Sequence, residues 1–308
     1  HSNPDIDAMG SAMGIYRLVR ELGKNAYIIT SNETNTLQSF KESLLKDPEY
    51  EDILITKEVA EENIDETTLL VVVDTNKVNY VEAPEILTKT DKIVVIDHHR
   101  RSADYIENAT LTFQEVYASS AAELVTEILQ YVSIKINLKT IEAESLYAGI
   151  MMDTKNFTFK TGVRTFEAAA YLRKCGVDII RVKKWFQSDL ASFNKIAEIV
   201  KKAEIVNDSI AIASYNRKTK DASLICAKAA DELLTISNIT ASFVLGNIGD
   251  KICISGRSIG DINVQIILEK LGGGGHITLA GAQLEGLTME EAKQELIIRI
   301  NEYFTEIE

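Results

Sequence analysis

Cysteine, histidine, basic charge and long apolar runs are all scarce in this chain. Its 308 residues hold three cysteines, Cys175, Cys226 and Cys253, with no CxxC spacing and no even pairing. That excludes a disulfide framework and reads as core fillers in a reducing compartment. The longest uninterrupted apolar stretches, such as residues 69–73, fall far short of the roughly 18 residues a membrane span needs, and no signal peptide is visible. Internal repeats and low-complexity tracts are absent apart from a glycine run at residues 272–275. Only 33 Lys and Arg face 46 Asp and Glu, giving a net charge of −13 spread over both halves. Such a surface excludes a duplex nucleic-acid binder, which must neutralise phosphates, and leaves small anionic ligands open. Composition that is 45% apolar and 26% charged excludes disorder, and the length suits two domains.

The first half alternates strand-like and helix-like segments. Residues 26–30, 68–73 and 92–96 are β-branched runs ending at turn or acidic residues, the pattern of strands buried on both faces of a parallel sheet. Helical patterns cover residues 8–22, 120–132, 140–152 and 165–174, with Gly23 and Gly176 as stops and Ser120 with Glu123 in capping-box spacing. Residues 182–202 read as polar helices linking two domains. Beyond them, strands are expected at 210–215, 223–227, 241–245 and 251–255, and helices at 228–235, 262–271 and 288–304. The expected fold class is therefore α/β: a parallel-sheet domain over residues 1–185, a helical linker over 186–203 and a smaller α/β domain over 204–308.

The four histidines, His1, His98, His99 and His276, all sit in conspicuous settings. Four segments concentrate Asp and His: His1-Ser2-Asn3-Pro4-Asp5-Ile6-Asp7, then Asp74 and Asp97-His98-His99 at strand ends, then Asp153 after an apolar helix. Strand carboxyl ends of an open parallel sheet converge on one edge, so these side chains are expected to meet there. A lone strand-end Asp reads as a turn residue, but the ensemble reads as a metal site. Carboxylate and imidazole without thiolate suit Mn(II), Fe(II) or Mg(II), and so many ligands imply two ions. Paired ions clamp an in-line displacement at phosphorus, which makes hydrolysis of a phosphoester or phosphoanhydride the natural reaction.

In the second half, Leu271-Gly-Gly-Gly-Gly-His276 follows Ser255-Gly256-Arg257-Ser258. Glycines allow close backbone approach to an anion, and His276 with Arg257 can donate to phosphate. One glycine suffices to stop a helix, so ligand contact is the preferred reading. Arg100 and Arg101 are equally consistent with phosphate contact and with a solvated edge. Phe157, Phe159 and Tyr117 read as core aromatics rather than base-stacking ones.

Together the HxNPDxD, strand-end Asp, DHH, Met-Asp-Thr and GGGGH segments resemble the DHH phosphoesterase superfamily with its DHH-associated C-terminal domain, across nearly the whole chain. Within it, Tyr117-Ala-Ser-Ser-Ala-Ala-Glu-Leu-Val125, Asp153-Thr-Lys-Asn-Phe-Thr-Phe159, Thr161-Gly-Val-Arg-Thr-Phe-Glu167 and Gly260-Asp-Ile-Asn-Val-Gln265 resemble the GdpP-type cyclic-di-AMP phosphodiesterases. The resemblance implies one Mn(II) on His1, Asp5 and Asp74 and a second on Asp7, Asp74, His98 and Asp153, with Mg(II), Fe(II) or Co(II) as substitutes. It assigns catalysis to Asp74, Asp97, His98 and His99. Asp97 orients the ligand histidine and His99 faces the phosphate. Substrate contacts fall to His99, Arg257, Gly273, Gly274, Gly275 and His276. Gly256 stands where the family pattern leads one to expect Ala.

The implied activity is hydrolysis of cyclic-di-AMP to linear 5'-phosphoadenylyl-adenosine. The resemblance also implies a homodimer through the C-terminal domain and a cytosolic fragment of a longer, membrane-anchored bacterial protein. Alternative readings are an oligoribonuclease or 3'-phosphoadenosine phosphatase of the same superfamily, and a non-catalytic cyclic-dinucleotide sensor. Base preference is not legible in the residues.

Overall fold

Runs of Leu, Val and Ile with no polar face, at Leu70–Val73 and Ile93–Asp97, pair as parallel strands with Val73 opposite Ile96. Leu111–Gln114 adds a third parallel strand and sets Gln114 opposite Asp97. The computed structural model describes residues 1–30, 35–101, 103–219 and 221–307. The chain divides into two compact units, His1–Gln187 and Ser188–Glu308.

In chain order the first unit holds α1 (Ile6–Glu21), β1 (Ile28–Ile29), α2 (Asn35–Leu44), β2 (Leu54–Ile55), α3 (Lys57–Asn63), β3 (Leu70–Val73), β4 (Ile93–Asp97) and β5 (Leu111–Gln114). It continues through α4 (Ala121–Tyr131), α5 (Thr140–Asp153), α6 (Val163–Lys174) and α7 (Ile179–Trp185). β1 and β2 form a separate parallel pair. The apolar pattern suggests that α1 starts at residue 8, but Asp5 caps it two residues earlier, accepting from the backbone N–H of Asp7 and Ala8. The sequence pattern predicts no element at α2, α3 or β5; yet Leu37 and Phe40 of α2 are fully buried. The core is built by α1, α4 and α5 through Met9, Met13, Leu124, Val125, Leu146 and Ile150. The α1–α5 approach is close: a Cβ on Gly10 would stand 2.4 Å from the Ser145 carbonyl oxygen.

The second unit comprises α8 (Leu190–Val200), β6 (Glu204–Val206), β7 (Ile210–Tyr215), α9 (Ala222–Leu233), β8 (Ala241–Ile248), β9 (Lys251–Ser258), α10 (Val264–Glu269), β10 (Gly274–His276), β11 (Leu279–Glu285) and α11 (Met289–Ile307). Its mixed sheet runs β10-β11-β9-β8-β7-β6, with only β7 and β8 parallel. Alternation along the strands separates two cores. Ile212, Phe243, Leu245 and Ile254 face Val264, Leu268 and Leu296, while Ala213, Val244 and Cys253 face Ile196, Ile225 and Ala229. The strand expected at residues 223–227 is wrong, because these residues belong to α9. Its buried positions, Ala222, Ile225, Cys226, Ala229, Ala230 and Leu233, follow helical spacing. A short apolar run carries either period, and here the alanines extend the helical one.

The glycine run, expected to contact a ligand, also meets backbone demands of its own. Gly272 turns with φ +74°; a Cβ on Gly273 would lie 2.2 Å from the Gly281 carbonyl oxygen; and Gly275 has φ +150° with the Leu279 carbonyl oxygen 2.4 Å from a Cβ. Gly273 and Gly275 are thus required by their close approach to β11, while Gly272 closes α10, its N–H donating to the Glu269 carbonyl and that of Gly273 to the Leu268 carbonyl. Gly274 has open space and no such demand. We expect Gly273→Ala and Gly275→Ala each to destabilise this unit by about 1–3 kcal/mol, with Gly274→Ala near neutral, as read by thermal denaturation. Equal melting temperatures for all three would refute this account. Gly256 has a packing reason too: a Cβ there would approach Phe243 and Leu268 to 3.0 Å.

Candidate metal centre

The centre is assembled where the parallel strands end. Asp74 follows β3 directly, and its N–H donates to the Ile96 carbonyl at 2.9 Å, so it lies beside the end of β4. Its φ of +62° is a left-handed conformation that a non-glycine residue rarely takes, and it turns the chain sharply at this edge. Asp97 ends β4 fully buried, its Oδ1 accepting from His99 Nδ1 at 2.8 Å and from the His99 backbone N–H at 3.2 Å. Burial alone would raise its pKa, but the bonds from His99 and Asn76 outweigh it and hold the carboxyl below its ordinary value.

His98 is buried among three carboxylates. Its Nε2 lies 3.2 Å from Asp153 Oδ2, 3.5 Å from Asp74 Oδ1 and 3.9 Å from Asp7 Oδ2. Asp153 is the last residue of α5, and Asp7, in the first turn of α1, is fully buried with its carboxylate accepting from the N–H groups of Ala121 and Ala122 at 2.8 Å each. Two triads result, Asp7-His98-Asp153 and Asp74-His98-His99, each with ligand-type atoms within 4.8 Å of one another.

Whether these residues fit a metal is tested by two poorly satisfied atoms. His98 Nε2 and Asp74 Oδ1 are buried, face each other at 3.5 Å and lack a hydrogen bond of good geometry, the Asp153 carboxylate beside Nε2 standing in ion-pair range at 3.2 Å. A buried polar atom without a good hydrogen bond is costly, and a cation between carboxylate oxygen and imidazole nitrogen satisfies both. Electrostatics agree. Burial lowers the affinity of His98 for a proton, yet Asp153, Asp74 and Asp7 override it and push its pKa up to about 11. Burial, with Asp74 and Asp153 nearby, raises Asp5 to about 7 and raises Asp7 well above its ordinary value. The site is short of positive charge, and protons stand in for it.

Not every sequence-predicted ligand joins the triads. His1 Nδ1 accepts from the Asn3 N–H, and its ring lies 5.6 Å from that of Tyr80. The Asp5 carboxylate caps α1. In the second unit, Arg257 is buried on β9 with Nε 3.2 Å from Asp231 and Nη1 donating to the Gly256 carbonyl, while His276 is exposed on β10. Arg100 and Arg101 are exposed, Arg101 stacking over Tyr105. Phe157 packs between Tyr147 and Phe166 as a core-side aromatic and Phe159 is half-buried, but the core reading of Tyr117 fails because it is 90% exposed.

Sequence reasoning misses Asn76. Its amide donates to Asp97 Oδ2 at 2.5 Å and to the Arg100 carbonyl at 3.3 Å, tying the turn after β3 to the Asp97-His98-His99 segment. A buried amide two residues past a strand-end Asp is the signal that could have found it. Loss of such a supporting bond typically weakens a metal site about 10–100-fold. Asn76→Ala is expected to reduce Mn(II) affinity within that range, and calorimetric titration indistinguishable from the parent would exclude the role.

With this geometry established, residues 1–150 match the DHH family, N-terminal domain, and residues 207–306 match the DHHA1 domain. The chain carries a DHH domain followed by a DHHA1 domain. Its sequence is 43% identical over 307 residues to the cyclic-di-AMP phosphodiesterase GdpP of Geobacillus thermodenitrificans, and 41% identical over 309 residues to the cyclic-di-AMP phosphodiesterase PdeA of Listeria monocytogenes. Each alignment covers 99% of this chain and 47% of the relative, so the chain spans about half the length of the curated relatives it matches. The fold matches an exopolyphosphatase-related protein from Bacteroides fragilis with a TM-score of 0.83 at 22% identity, covering 97% of this chain and 89% of that one. The DHH signature Asp97-His98-His99 is thus the segment that supplies the shared histidine of both triads.

Proposed function

We propose that this chain hydrolyses cyclic-di-AMP to linear 5'-phosphoadenylyl-adenosine with two Mn(II) ions, and so controls the level of a second messenger. The observation that carries this reading is the pair of buried, poorly satisfied atoms, His98 Nε2 and Asp74 Oδ1, among carboxylates. The relatives named as cyclic-di-AMP phosphodiesterases supply the substrate.

His1, Asp5 and Asp74 would hold one ion, and Asp7, Asp74, His98 and Asp153 the other. When bound, the ions supply Lewis acidity at phosphate oxygens and lower the pKa of water toward neutrality. The protein's own groups do the rest. Asp97 fixes the His99 ring through Nδ1, which leaves its other nitrogen for the substrate phosphate, and the half-exposed imidazole is reachable from solvent. From the second unit, Arg257, Gly273, Gly274, Gly275 and His276 are assigned to the far phosphate or nucleoside. Exposed His276 and the open space at Gly274 support that assignment.

The chain is further proposed to pair with a second copy through the second unit and to act as the cytosolic part of a membrane-anchored protein; it does not bind duplex nucleic acid. No helix among the described residues is long and apolar enough to cross a membrane. Chromatography after incubation with Mn(II) and cyclic-di-AMP, cyclic-di-GMP, a short RNA or 3'-phosphoadenosine 5'-phosphate tests the reaction. Conversion of cyclic-di-AMP to the linear dinucleotide ahead of the others is expected. Preferred turnover of the RNA or the mononucleotide would replace this reading, and tight binding with no product would make the chain a sensor.

A further inference from the structure

We propose that Gly149 and the first turn of α4 form a cradle that positions the Asp7 carboxylate for metal binding. This inference rests on the metal-centre reading above and adds positioning residues to it.

One side of the cradle is the start of an 11-residue helix. Asp7 Oδ2 accepts from the Ala121 N–H and Oδ1 from the Ala122 N–H, both at 2.8 Å, across more than 110 positions of sequence. The first N–H groups of a helix have no partner within it and attract anions. Here they are shared out. Ser120 Oγ accepts from the Glu123 N–H at 3.0 Å, and Glu123 turns its carboxylate to the Ser119 hydroxyl at 2.5 Å. The N–H groups of Ala121 and Ala122 are the pair given to Asp7. The Ser-Ser-Ala-Ala-Glu order of residues 119–123 is explained by this division, since two serines set the cap and two small residues let α1 come close.

The other side is a gap. Gly149 lies inside α5, where glycine is less favourable than alanine. A Cβ at this position would stand 2.8 Å from Asp7 Oδ1, 2.9 Å from Asp7 Cα and 2.9 Å from the Ala122 Cβ. No side chain fits without moving the carboxylate, the α1 backbone or the α4 turn. With both oxygens fixed by N–H donors on one side and the glycine on the other, the carboxylate is held fully buried with Oδ2 3.9 Å from His98 Nε2. Fixing a ligand oxygen from behind is how surrounding groups raise metal affinity.

Isothermal calorimetry with Mn(II) on the whole chain decides this, alongside thermal melting of the metal-free protein. Gly149→Ala is expected to lower Mn(II) affinity about 10–100-fold. Ala122→Gly in the same chain removes one of the crowding methyl groups and should restore part of that loss. Ser120→Ala introduces no crowding and only loosens the α4 cap, so it should fold and still weaken Mn(II) binding severalfold. If Gly149→Ala does not fold, Ser120→Ala decides the matter alone. Parent-like affinity in the folded variants overturns the cradle while leaving the metal centre standing. Failure of the unsubstituted chain to bind Mn(II) overturns the metal centre, and the cradle falls with it.

Discussion

Replacing Asp97, His98 and His99 together by alanine should abolish the proposed Mn(II)-dependent hydrolysis of cyclic-di-AMP, by about a thousandfold or more. Metal Lewis acidity contributes several kcal/mol to phosphoryl chemistry, and each ~1.4 kcal/mol is tenfold in rate. The substitution acts on both triads at once, because His98 belongs to each. It also removes the group that Asp7, Asp74 and Asp153 share as a neighbour, at 3.2 to 3.9 Å, and leaves three carboxylates facing one another. Loss of Asp97 then frees the turn held by Asn76. Rates measured by product chromatography with excess Mn(II) check the result. Turnover within tenfold of the parent would sink the assignment of these residues to the centre.

Stability of the metal-free protein should fall as pH rises from about 4 to about 7, and Mn(II) should reverse the trend. The sign follows from proton counts. Asp5 titrates near 7 in the folded chain against an ordinary 3.8. Across that window the folded state holds a proton the unfolded state has lost, so raising pH favours unfolding, by up to about 1.4 kcal/mol per pH unit. His98, raised to about 11, has the same sign at higher pH: its contribution is present below its ordinary pKa of 6.5 and is lost as pH climbs toward 11. Metal ions displace these protons, so their binding tightens with pH. At a hundredfold excess over Kd they add about 2.7 kcal/mol. Urea denaturation with chelator at pH 5, 6 and 7 tests this against Asp5→Asn, whose slope should be shallower. Identical slopes would rule out the Asp5 contribution.

The net charge of −13 takes on a local meaning beside these numbers. Asp7, Asp74 and Asp153 surround His98, Asp97 holds the His99 ring and Asp5 caps the helix that carries Asp7, and the two divalent cations proposed there would bring four positive charges. An acidic chain is therefore compatible with a small phosphate-bearing substrate.

Much of the site is legible in the sequence because its signals are local. An apolar strand running into Asp or into Asp-His-His is a contradiction within a few residues, since buried polar groups demand partners. The α/β class, with parallel pairing in the first unit, follows from β-branched runs alternating with helical periods. Local signals fail where two patterns fit one run, as at residues 223–227, and are silent on distant crowding, as at Gly273 and Gly275, whose neighbours are Gly281 and Leu279.

Residue types and their order alone determined the fold class, the acidic surface and the chemistry available at the strand ends, because periodicity and composition act over short stretches of chain. Tertiary structure alone decided that His98 is common to both triads, that Asn76 ties Asp74's turn to Asp97, and that Gly149 and the Ala121 and Ala122 N–H groups enclose Asp7. Those facts depend on contacts between residues tens to more than a hundred positions apart, made when helices and strands pack, and no local pattern encodes which distant backbone will arrive.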